Sequence, residues 1–153
     1  MIDHEPNIQA ALLQYSSEAR LMLKGAFVLP DEHVIEGEHK ARAEDGQILL
    51  ADRDGREIFR AKDILLSPAA PAESFFTIFG VKIGIDFHWQ RVQEQSFRGA
   101  LFLSGQSQDT FHLINRVPLE EYLASVISSE MSANAPLEFL KAQAVTSRSW
   151  LVA

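Results

Sequence analysis

The sequence predicts an α+β fold, with a β-rich region over residues 1–116 and a helix-turn-helix over residues 117–153, together one domain. Three observations predict it. Apolar runs of strand length, separated by Asp-Gly and Pro-containing turns, fill the first part of the chain. Seven of the ten phenylalanines fall between Phe75 and Phe111, which places the main β core there. From Val117 onward the apolar spacing becomes helical, and Pro118 and Pro136 stand where two helices would begin.

The strands follow in order. Ile8–Leu13 and Ala19–Lys24 are short apolar runs. Asp45-Gly46 lies between His39–Ala43 and Gln47–Leu50, a hairpin signal because both residues tolerate positive φ. Asp54-Gly55 separates that run from Glu57–Ala61. Ser67–Glu73, with Pro68 and Pro71, reads as a loop before Phe75–Phe79 and Val81–Phe87. Phe97–Leu103 and Thr110–Ile114 flank the polar turn Ser104–Asp109. No fixed-period repeat stands out, so the region reads as a meander of hairpins and not as a solenoid.

In the first helical segment, Leu119, Leu123, Val126 and Ile127 share one stripe, at roughly 100° per residue. Glu120, Glu121, Ala124 and Ser128 fall opposite. Pro118 suits the first helical position, and Glu120 and Glu121 suit the positive end of the helix dipole. Glu130 projects onto the apolar stripe, one turn beyond Val126 and Ile127. Two readings follow from spacing alone: a helix-end carboxylate bent out to solvent, or a carboxyl held against apolar surface, which keeps its proton and can act as a general acid. The second segment is expected to be capped by Asn134 or Ala135, with Pro136 in its first turn. Leu137, Leu140, Ala144 and Leu151 form its apolar stripe. Lys141 and Arg148, seven residues apart, project from nearly the same side. They read either as a solvated cationic edge or as a pair flanking an anionic group.

The stretch EEYLASVISSEM followed by APLEFLKAQAVTSRSW resembles the SpoIID/LytB domain, the family of the sporulation protein SpoIID and the amidase-enhancer LytB. The resemblance rests on Glu120, Tyr122 and Leu123, then Glu130 and Met131, then Pro136, Leu140 to Val145, and Arg148. It covers roughly Phe97 to Ala153. Departures occur at Ala135, where the family often has an aromatic residue, and at Ser149 and Trp150.

The resemblance implies a lytic transglycosylase that cuts peptidoglycan glycan strands freed of their stem peptides. It makes Glu130 the catalytic residue and Lys141 and Arg148 the supporting or substrate-binding ones. It implies no cofactor and no metal. Glu130 would need a raised pKa, which burial on its helical stripe would supply. Lys141 touching Glu130 would oppose that rise, so Lys141 is expected to serve substrate groups instead. The resemblance also offers a non-catalytic alternative, an activator that binds a cell-wall amidase. It implies an extracytoplasmic location, although MIDHEPNIQAALL lacks the marks of a signal peptide. The second helix runs to Ala153 with no Gly, Asn or Pro to stop it. The chain is therefore expected to be the N-terminal piece of a longer protein that supplies the rest of the cleft, and an inactive fragment is a third expectation.

Composition bounds the rest. At 46% apolar and 23% charged, the chain matches a globular domain. Its net charge of −7 and lack of a basic, aromatic-laced patch exclude general nucleic-acid binding. No run approaches the roughly 20 apolar residues of a membrane span. The absence of cysteine excludes a disulfide and a thiolate nucleophile. His4, His33, His39, His88 and His112 show no metal-ligand spacing. Phe87-His88-Trp89 could line a sugar cleft or simply be a half-exposed strand. Asp31-Glu32 and Asp52–Asp54 read as solvated turn acids. Ser128 and Ser129 have no His or Lys base nearby in sequence.

Overall fold

A computed structural model describes residues 4–83, 91–131 and 134–153. Among these, ten strands precede two helices. The strands are β1 (Asn7–Ser16), β2 (Glu18–Val28), β3 (Val34–Glu44), β4 (Gln47–Asp52) and β5 (Glu57–Ala61), then β6 (Asp63–Pro68), β7 (Phe75–Ile83), β8 (Arg91–Phe97), β9 (Ala100–Gly105) and β10 (Phe111–Pro118). The helices are α1 (Leu119–Glu130) and α2 (Leu137–Val152). The α+β class and its order, strands first and helices last, are as predicted. The chain divides into two compact units: Gln9–Arg116, which holds most of the sheet, and Met1–Ile8 joined with Val117–Ala153.

The strands run in the order β1-β10-β9-β6-β2-β3-β4-β5, with β7 pairing β2 and β8. Every pairing of known register is antiparallel. The β3–β4 hairpin turns at Asp45-Gly46, as its sequence predicts. Glu44 faces Gln47, and φ is 53° at Asp45 and 79° at Gly46. Positive φ at both central residues is the type I′ geometry, whose twist matches the strands it joins.

Strand β2 organises the sheet. One edge pairs β3 along most of its length, while the other pairs β7 over Leu21–Lys24 and β6 at Phe27 and Val28. The change of neighbour falls at an irregularity between Leu23 and Phe27, where Gly25 adopts φ 79°. A bulge bends and re-aims a strand, which lets one strand serve two neighbours.

Alternation explains the core. Leu21, Leu23 and Phe27 of β2, Ile48 and Leu50 of β4, Ile64 and Leu66 of β6, Phe76 and Ile78 of β7, Leu101 and Leu103 of β9, and Phe111 and Leu113 of β10 are all essentially inaccessible. The core is thus wider than the Phe75–Phe111 segment expected to hold it, since β2, β4 and β6 contribute aliphatic residues on the same terms. Several phenylalanines of that segment point the other way, because a strand sends alternate side chains to opposite faces. There a cation covers them: Lys24 lies 5.3 Å from the Phe75 ring, Arg20 5.1 Å from Phe79, and Arg116 4.1 Å from Phe102.

Other boundaries differ from expectation. Asp63–Pro68 is a strand, so the loop expected from Ser67 begins after Pro68; Ser67 and Pro68 pair with Val28 and Phe27. Pro68 sits at the strand's end, where its lack of an N–H is tolerated. Phe75–Phe79 and Val81 belong to one strand, irregular between Ile78 and Val81. Residues 84–87 of the expected second run lie outside the described residues. The run Phe97–Leu103 is broken after Phe97, which ends β8, and resumes at Ala100. Polar β8 carries no apolar alternation that would announce it.

Gly25→Ala is expected to cost more than the about 1–2 kcal/mol of a left-handed backbone alone. Its new Cβ would lie 2.7 Å from Ser74 Oγ and 3.1 Å from Ser74 Cα. Gly46→Ala meets nothing within 4 Å and should lose the backbone contribution only. Urea denaturation of the two variants side by side checks this order, and equal losses would rule out the Ser74 contact as the cause.

Candidate functional site

The residues singled out in sequence gather in the unit formed by Met1–Ile8 and Val117–Ala153. Helix α1 buries Leu119 and Leu123, half-buries Val126 and Ile127, and exposes Glu120, Glu121 and Ala124. That is the stripe predicted from its spacing. Pro118 takes the N-cap position and not the first helical one, with φ −55° and ψ 144°. The helix ends at Glu130, and the chain turns extended at Met131, whose N–H donates to the Ile127 carbonyl at 2.9 Å. Glu130 is thus the last residue of α1. Its side chain, like those of Ser128 and Ser129, lies outside the described residues.

Helix α2 is capped differently from expectation. Pro136, not Asn134 or Ala135, occupies the N-cap, with no side-chain cap bond. Its carbonyl accepts the N–H groups of Phe139 at 3.0 Å and Leu140 at 3.1 Å. Leu140, Ala144 and Leu151 form the half-buried face, with Gln143, Ser147 and Arg148 beside them. Leu137, expected on that stripe, is 64% exposed, as the first residue of the helix.

Arg148 joins the two helices. Its Nε donates to Glu120 Oε1 and its Nη2 to Glu120 Oε2, both at 2.7 Å. This is the two-pronged arrangement that a guanidinium and a carboxylate favour, and it fixes orientation as well as distance. The Arg148 bonds hold the Glu120 carboxyl below the usual range, while the Glu120 carboxylate raises Arg148. Both side chains are roughly half exposed, so solvent screens the pair and its main effect is geometric. Lys141 projects from nearly the same side of α2 but donates to Glu138 of its own helix at 2.9 Å, in an exposed pair of little energetic weight. The two cations therefore engage separate carboxylates.

Sequence reasoning placed Glu120 in the first turn for its charge but missed its partner, which lies 28 residues on. It also missed the N-terminal segment, where Glu5 and Pro6 accept the first N–H groups of α1. A proline at the N-cap, unable to supply a side-chain acceptor, is the one sequence signal for a cap from elsewhere.

The remaining candidates have local roles. Asp31 accepts from His33 N–H at 3.2 Å and pairs with its Nδ1 at 2.9 Å. Asp52 accepts the N–H groups of Asp54 and Arg56, both at 2.9 Å, and so organises its turn. His39 is buried against the Gly37 carbonyl, and His112 Nδ1 accepts the Tyr15 N–H at 3.0 Å. Among the described residues no group of three or more His, Cys, Asp or Glu side chains could hold a metal ion. Phe87, His88 and Trp89 lie outside them. No helix among the described residues is long and apolar enough to cross a membrane.

The C-terminal segment is thus a strand that leads into two helices, tied to each other by the Arg148–Glu120 pair. Residues 107–153 match the model of the SpoIID family, described as stage II sporulation protein, which supports a domain of that family in this C-terminal segment. The match covers less than half of the chain. It gives the segment a sporulation- or cell-wall-related role within a cell-envelope-associated family. No curated protein and no solved structure matches the chain.

Pairing depresses the Glu120 carboxyl, so the separated helices take up a proton at higher pH than the paired ones. The contribution of the pair is present above the ordinary glutamate range and is lost as pH falls through the depressed value. Hydrogen exchange of α2 amides should accordingly be insensitive to the state of this pair from pH 8 to 5. Protection should drop only below about pH 4.3. In Arg148→Ala that acid step should vanish; its persistence would assign the step to another carboxyl.

Proposed function

We propose that the chain carries the acid/base centre of a lytic transglycosylase acting on peptidoglycan glycan strands from which stem peptides have been removed. One observation carries this reading: the family match spans the whole α1–turn–α2 unit and includes Glu130, Lys141 and Arg148. A single carboxyl group suffices for the reaction, since no second carboxylate is needed to position water. The Glu130 carboxylic acid donates its proton to the glycosidic oxygen as the bond from C1 of N-acetylmuramic acid breaks. The resulting carboxylate takes the proton of the same sugar's C6 hydroxyl as that oxygen closes on C1. The strand is cut, a 1,6-anhydro end forms, and Glu130 is restored to its acid form without consuming water. Neither a metal nor a cofactor enters these steps.

In this reading Arg148 supports activity by holding α2 against α1, whereas Lys141, paired among the described residues with exposed Glu138, can exchange that partner for an anionic substrate group. The protein acts outside the cytoplasmic membrane, where the glycan lies.

Stem-peptide-free glycan strands incubated with the chain, and with a form extended at its C-terminus, should yield 1,6-anhydro-muramic ends by mass spectrometry. Glu130→Gln should lower that yield at least about 100-fold, at the lower end of what a general acid contributes. Full activity in Glu130→Gln would remove Glu130 from the reaction. Products from neither form, together with faster peptide removal when a cell-wall amidase is added, would instead identify a non-catalytic activator.

A further inference from the structure

A helix begins with N–H groups that have no partner within the helix. Pro118 cannot supply one from its side chain, and α1 has no side-chain cap at that position. The N-terminal segment supplies two acceptors instead. The Pro6 carbonyl accepts the Leu119 N–H at 3.0 Å, and Glu5 Oε1 accepts the Glu120 N–H at 2.7 Å, from 115 residues away in the chain. Both belong to the same compact unit as the helices, yet they lie outside residues 107–153 that match the family.

We infer that Glu5 is a positioning residue for α1: its carboxylate caps the helix start that Pro118 leaves open, and through the helix it sets the place of Glu130 at the other end. A carboxylate at this position makes a charge-assisted bond and faces the positive end of the helix dipole, so two effects favour it. Glu120 is consequently gripped twice, its N–H by Glu5 and its carboxylate by Arg148. With its first turn held on both sides, the helix can neither slide nor rotate freely. The helix carries that constraint from Glu120 to Glu130, about 15 Å away. A displacement of about 1 Å at a reacting group can cost a factor of about 100 in rate. The consequence for activity rests on the transglycosylase reading of Glu130; the cap itself does not.

The test compares Glu5→Ala and Glu5→Gln in the full chain. Amide exchange at Leu119 and Glu120 should accelerate about tenfold in Glu5→Ala, the loss expected of an N-cap. In Glu5→Gln, which keeps an acceptor oxygen, part of the protection should return. The Met131 amide resonance, at the far end of α1, should shift in the alanine variant. On glycan strands, kcat should fall in the order wild type, Glu5→Gln, Glu5→Ala, with KM unchanged, because substrate contacts are untouched. Unaltered exchange in Glu5→Ala would overturn the cap. Altered exchange with an unmoved Met131 resonance, or with unchanged kcat, would overturn the positioning role. If neither the wild-type chain nor its C-terminally extended form cut glycan, the transglycosylase reading would fall, while the exchange and resonance measurements would still decide the role of Glu5.

Discussion

The helical unit depends on how the first turn of α1 is held. Proline at its N-cap fixes the backbone for helix entry but leaves the first amides unsatisfied by any local side chain. Pro6 and Glu5 take those amides, and Arg148 takes the carboxylate that the same turn presents. Each bond alone is modest. Together they fasten two distant stretches of chain to the first turn of α1, at Leu119 and Glu120, and so define the axis and rotation of the helix that ends at Glu130. The pairing with Arg148 is two-pronged, so it resists rotation in a way that a lysine at the same place would not.

The sheet is governed by a comparable constraint at β2. A regular strand has two edges and one register with each neighbour. By bulging at Gly25, β2 pairs β7 before the irregularity and β6 after it, while keeping β3 on its other edge. The inward residues remain in phase on either side, and Leu21, Leu23 and Phe27 all stay buried. The outward phenylalanines of β7 and β9 are left half-covered, and arginine and lysine side chains lie over them. The aromatic richness that drew attention to residues 75–111 therefore has two uses: one set of rings fills the core and the other supports a charged outer face.

Much of this was legible in the residues. The Asp45-Gly46 turn needs positive φ at two successive positions, and few other dipeptides accept it, so the hairpin could be located without coordinates. The stripe of Leu119, Leu123, Val126 and Ile127 follows from helical geometry alone. Strands β6 and β8 were harder to see for opposite reasons. The apolar stretch of β6 is very short and runs into a proline, whereas β8 is polar and gains its place by pairing with β7. Helix caps were misplaced by one or two residues because Asn134 is a good capping residue in general. Pro136 nevertheless takes the N-cap of α2, its fixed φ already suiting helix entry.

By itself the sequence determined the α+β class, the order of strands before helices, the buried stripe of α1 and the family of the C-terminal segment. These are set by local periodicity, turn chemistry and a long motif of fixed spacings, all of which are written along neighbouring residues. Only the tertiary structure decided that Arg148 is spent on Glu120, that Lys141 is not, and that the start of the chain caps a helix more than a hundred residues later. The physical reason is that an ion pair or a cap depends on distance in space. A charged side chain carries no local mark of which distant partner will come within about 3 Å of it.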